Sequence, residues 1–173
     1  MIPEHLLQPC DIILVSGKGL VSRAIRWFTD SEWSHAALYV GGGKQAIIEA
    51  METGVEVNPL QTLVKGHTKV CVLRYPGLLV EQAEVIKAKA YDLTYHRYDF
   101  PQLITLGVYN FFRKLGVKMS FLVSNSRNNI ICSELIAVCY KAAMIEFSKK
   151  TKMVTPASLY TNDGLTTIYE AKL

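Results

Sequence analysis

A chain of 173 residues, half hydrophobic and one-fifth charged, is long enough to bury the core of one ordinary domain, and it carries no low-complexity stretch or repeat. Its formal charge of +4 is modest and its basic residues are scattered, except for Lys149, Lys150 and Lys152, so nucleic acid is not an expected partner. The four cysteines, Cys10, Cys71, Cys132 and Cys139, form no C-x-x-C pair or regular framework, which points to reduced thiols rather than a zinc site or a disulfide scaffold.

The N-terminus, "MIPEHLLQPCDIILV", lacks a basic leader, a long apolar stretch and a small-residue cleavage site, so the sequence as written is expected in the cytoplasm; a trimmed chain would read the same way. Residues 11–15, "DIILV", read as a short buried strand punctuated by the glycines of 17–19. A helix is predicted over 20–29, where Val21, Ala24, Ile25 and Phe28 recur at helical spacing and Arg23 and Arg26 fall on the other face. Three β-rich runs follow at 35–40, 46–51 and 69–75, separated by glycine turns or polar loops as in an antiparallel meander. Helical spacing returns over 80–91.

The apolar segment 101–123 raises the question of a membrane span, but Arg113, Lys114 and Lys118 lie inside it. Pro101 suits a first helical position. Leu103, Ile104, Val108, Phe111, Phe112 and Leu115 then make one broad stripe, which is expected to pack inward; contact with a bilayer surface through 103–123 is the less favoured alternative. A further helix is predicted within 124–144, with Asn128 or Asn129 as its cap. That start places Cys132 in the first turn, where unpaired N–H groups and the helix dipole favour a thiolate. Cys139, seven positions later on the same face, is most simply a small core residue, and position alone leaves Cys132 open to the same interpretation.

His35 opens the run "HAALYV", and a histidine on an apolar strand is ordinarily satisfied by a backbone hydrogen bond. Glu49 lies on the next predicted strand. Across an antiparallel hairpin, facing residues have a constant sum of sequence numbers. An even sum, such as 84 or 86, puts His35, Ala37, Tyr39, Ile47 and Glu49 on one face, whereas an odd sum separates the histidine from the carboxylate. Pairing His35 with Glu49 therefore requires an odd-length turn or a bulge. A cysteine at a helix start, a strand histidine and a neighbouring carboxylate are together the parts of a papain-like hydrolase.

The chain resembles the permuted papain-like proteins related to the NlpC-type cell-wall amidases, a group that includes the bacterial YiiX and YaeF proteins and the lecithin retinol acyltransferase relatives. The resemblance runs from about Asp11 to Tyr160 and rests on "CDIILV", "SRAIRWFTDSEWSHAALYVG", "IIEAM", "YDFP", "ICSELIAVCY" and "TPASL". Histidine before cysteine is the order of the permuted group. The resemblance implies an α+β, circularly permuted papain-like fold over 1–173, an antiparallel sheet or small barrel packed against helices, with the nucleophile at a helix N-terminus. It implies Cys132 as nucleophile, His35 as base and Glu49 as the residue orienting it. Tyr98 precedes the nucleophile as a tyrosine near the active site does in NlpC-type enzymes, though a half-buried tyrosine is equally ordinary. Cys10 stands where the family has a glycine before Asp11, and the 101–123 region is longer than a minimal core needs.

These roles imply an acyl-enzyme thioester on Cys132, with the Cys132 backbone N–H as first oxyanion donor and no metal or organic cofactor. His5, His67 and His96 fit no interpretable spacing and are expected on the surface or in loops. Three activities are compatible with the residues: hydrolysis of amide bonds in small peptides, including cell-wall-type peptides; acyl hydrolysis or transfer on a lipid; and binding without turnover. The first is favoured, and oligomeric state is left open.

Overall fold

The structure is a computed structural model and describes residues 2–42, 46–51, 54–95, 131–147 and 154–173. Among these, strands β1 (Ile12–Gly17), β2 (His35–Gly41), β3 (Ala46–Met51), β4 (Gly54–Pro59), β5 (His67–Arg74) and β6 (Thr166–Lys172) form an open antiparallel sheet in the order β4-β3-β2-β1-β5-β6. Among the described residues five α-helices accompany it: α1 (Leu20–Thr29), α2 (Leu60–Lys65), α3 (Val80–Tyr95), α4 (Ile131–Ala142) and α5 (Pro156–Tyr160). This is the expected α+β class, with an open sheet rather than a barrel. The sequence pattern did not indicate β4, α2, α5 or β6; the two strands are half-exposed sheet edges of mixed polarity, where alternation is weak.

The continuous apolar run of β1 follows from its central position, because every residue of β1 and β2 is buried and both faces of the sheet are covered. Alternation divides the core in two. Ile12, Leu14, Ala36, Leu38, Ile48 and Cys71 face α3 and α4, meeting Ile86, Ala90, Leu135, Ile136, Cys139 and Tyr140. Ile13, Val15, Ala37, Tyr39, Ile47, Val70 and Val72 face the other way, against Leu60 and Leu63 of α2. Burying a Leu or Ile side chain contributes about 1.5–3 kcal/mol, so the fully enclosed Leu135 and Ile136 fix α4 firmly on the sheet.

Asp11, just before β1, accepts two 2.7 Å hydrogen bonds from the Arg74 guanidinium and one from the Gln8 N–H, which ties the start of β1 to the end of β5. The preceding Cys10 has φ +72, in the left-handed region where a side chain is disfavoured. That conformation accounts for the glycine which the resembling family carries at this point. The "TPASL" motif is equally local in origin: Thr155 caps α5 by accepting from the Ser158 N–H, Ser158 returns the bond, and Pro156 occupies the first turn.

Candidate active site

β2 and β3 pair as Leu38 with Ile48 and Tyr39 with Ile47, a sum of 86, and a bulge before Gly41, at φ +77, shifts the register toward the turn. The even sum puts His35 and Glu49 on one face, diagonal to one another. Their side chains meet: His35 Nε2 lies 2.7 Å from Glu49 Oε2, both groups nearly inaccessible to solvent. The second carboxylate oxygen accepts from Asn58 Nδ2 at 3.1 Å. Asn58 is a contributor that the sequence did not reveal, because it sits on the unforeseen edge strand β4.

Cys132 is the second residue of α4 as described and is fully buried. Alternation assigns α4 to the opposite face of the sheet from His35, yet the thiol lies close enough to the imidazole to act on its charge. An opening in the sheet makes this compatible. The β2–β3 ladder stops at Leu38, and the Ala36 N–H, which points toward β3, donates instead to Cys132 Sγ at 3.3 Å. Sulfur thus takes the acceptor position of a strand carbonyl, level with the sheet, where a ring from the other face reaches it. With Nε2 occupied by Glu49, Nδ1 is the ring nitrogen left for the thiol.

The charges reinforce one another. Burial alone pulls the His35 pKa down, but the negative charge and hydrogen bond of Cys132, followed by those of Glu49, outweigh it and raise the pKa well above the usual histidine value. Burial pushes Glu49 up, and the bond and charge of His35 together with the Asn58 bond hold it below the ordinary carboxylate range. Both shifts favour a protonated His35 beside an ionised Glu49, an arrangement able to store and return a proton.

His67 departs from expectation. It is half-buried at the head of β5, its ring lying parallel to that of His35 with centroids 6.4 Å apart, rather than a free surface residue. A bulge between β1 and β5 puts it there, a long-range feature with no local signal. His5 is exposed in the turn Glu4–Leu6, and Cys139 is core. Tyr98, His96, Asn128, Asn129 and the 101–123 segment lie outside the described residues. Among the described residues there is no group of three or more His, Cys, Asp or Glu able to hold a metal, and no helix is long and apolar enough to cross a membrane.

A cysteine near a helix start, linked to a histidine–carboxylate pair on an antiparallel sheet with the histidine first in the chain, defines the permuted papain-like class. The chain belongs to the permuted papain-like amidase family, YaeF/YiiX (C92), whose sequence pattern matches residues 7–111. That stretch includes His35 and Glu49, while Cys132 lies beyond it. The chain is similar to the probable lipoprotein peptidase YaeF of Escherichia coli strain K12, 34% identical over 98 residues that cover 57% of this chain and 35% of that protein. It therefore spans about a third of that relative's length. In fold it is similar to the crystal structure of the metalloprotein yiiX from Escherichia coli O157:H7, with a TM-score of 0.66 over 95% of this chain and 97% of that one at 23% identity.

Proposed function

We propose that this protein is a cysteine amidase that cleaves amide bonds in small peptides through an acyl-enzyme on Cys132. The observation that carries the proposal is the hydrogen-bonded chain His35–Glu49–Asn58 together with the Cys132 thiol, which accepts from the N–H of Ala36, the residue next to His35, at 3.3 Å. The peptidase name of the YaeF relative supports an amide substrate over an ester lipid.

In the reacting site the Cys132 proton has passed to His35, and the sulfur is held by the Ala36 N–H. Attack forms a C–S bond and a tetrahedral oxyanion, for which the Cys132 backbone N–H is the first donor. His35 gives its proton to the departing amine as the C–N bond breaks, leaving a thioester. The now neutral His35 takes a proton from water, whose oxygen displaces the sulfur and releases the acid. Glu49 stabilises the charge on His35 and fixes its ring, and Asn58 fixes Glu49.

The deciding experiment exposes the protein to a panel of labelled peptides and phospholipids and measures product release, with Cys132→Ala as control. Release from a peptide, lost in Cys132→Ala, is the expected result. Release from phospholipid alone would overturn the peptide assignment, and release unaffected by Cys132→Ala would overturn the nucleophile.

A further inference from the structure

We propose that His67 is a positioning residue of this site: stacked on His35 and tied through Nδ1 to the Leu63 carbonyl, it holds the His35 ring in the plane from which it serves Cys132. The inference rests on the catalytic reading above and extends it to a side chain outside the Cys–His–Glu relay.

The geometry begins with an interruption of alternation. β1 pairs with β5 in steady register from Ile12↔Leu73 to Ser16↔Lys69, which would set Gly17 opposite Thr68. Gly17 instead pairs with His67. On β5, Val70 and Val72 face α2, so uninterrupted alternation would turn residue 67 toward the opposite face. The extra residue re-aims it onto the face of His35 and Leu63, and Thr68 secures the irregularity by donating through Oγ1 to the Ser16 carbonyl at 3.0 Å.

Two constraints then immobilise the ring. A carbonyl only accepts, so the contact with Leu63 O requires a proton on Nδ1 and selects one tautomer, with the lone pair on Nε2. The ring plane lies 11° from that of His35. The charged groups facing it are His35 on β2, Glu49 on β3 and Lys18 after β1. Burial lowers its pKa, the Leu63 bond opposes that, and the His35 charge lowers it further, so His67 stands neutral against the imidazolium. A neutral plane limits tilting of His35 without competing for its charge. Glu49 and the thiol meet the His35 ring at its edge, whereas His67 lies parallel to its face, where it opposes tilting.

The test compares His67→Ala, which removes both plane and donor, with His67→Phe, which keeps a plane, and His67→Gln, which restores a donor and a planar amide. Readouts are kcat and KM on a cleaved peptide, the pH dependence of Cys132 alkylation by iodoacetamide, and the thermal melt. His67→Ala is expected to lower kcat by about ten- to a hundredfold with little change in KM, the scale on which a small misalignment acts. It should also move Cys132 alkylation to higher pH. His67→Gln should recover most of both effects and His67→Phe part of them. Wild-type kcat and an unmoved alkylation profile in His67→Ala would overturn the inference, as would parallel loss of melting temperature and activity in all three variants without rescue by Gln. Alkylation of wild-type Cys132 that does not respond to His35→Ala would refute the catalytic reading itself. A His35-dependent profile insensitive to His67 would refute the positioning role alone.

Discussion

Replacing Glu49 by Gln preserves shape and removes charge from a site that demands two acceptors. One carboxylate oxygen takes the His35 Nε2–H and the other takes the Asn58 amide N–H. A glutamine offers one acceptor and one donor, so either His35 or Asn58 initially faces an N–H, and Asn58 must turn its own oxygen inward to relieve the conflict. A bond to a charged group contributes about 1.5–3 kcal/mol and a neutral one about 1, so His35 loses about 1–2 kcal/mol of imidazolium stabilisation. That corresponds to about a five- to thirtyfold fall in kcat/KM, leaving partial activity. The pH profile is the sharper measurement. The raised folded pKa of His35 sets the alkaline limb of kcat/KM well above the ordinary 6.5, and Glu49→Gln should draw that limb downward. Stability follows the same sign. A histidine whose pKa rises on folding contributes stability that is fully present below its unfolded value and is lost as pH climbs through the folded one. The variant should therefore melt with a shallower decline over that alkaline window. The assay is peptide turnover across pH with melts on the same samples; an unmoved alkaline limb together with wild-type kcat/KM would refute the role given to Glu49.

Burial pushes the thiols of Cys10, Cys71 and Cys139 up to about 12, so brief iodoacetamide treatment at mildly acidic pH should label Cys132 first, and peptide mapping that finds another cysteine labelled preferentially would count against it. Cys132→Ala should abolish turnover while the melt moves little, since the main structural loss is one acceptor for the Ala36 N–H. At Cys10, where φ is +72, glycine should be more stable than alanine by about 1 kcal/mol, reversing their usual order; urea midpoints showing alanine equal or better would disprove a left-handed strain. Leu135→Ala, in the packed face of α4, should cost about 2–5 kcal/mol in the same titration and thereby loosen the helix that carries Cys132.

By itself the sequence determined the central strands, α1 and α3, because each has its own period of apolar residues, and it determined the order histidine, glutamate, cysteine that marks the permuted family. It also limited the β2–β3 pairing to two parities, since the side-chain period of a strand is two. Which parity holds was decided by the bulge at Gly41, a feature of the folded hairpin. The tertiary structure alone decided how residues 96 apart in the chain meet, for the Cys132 position depends on α4 docking into the β2–β3 opening, not on any spacing near it. Asn58 and His67 became visible for the same reason. One stands on an edge strand with little hydrophobic signature, and the other is turned toward His35 by an irregularity between strands brought together only when the sheet forms.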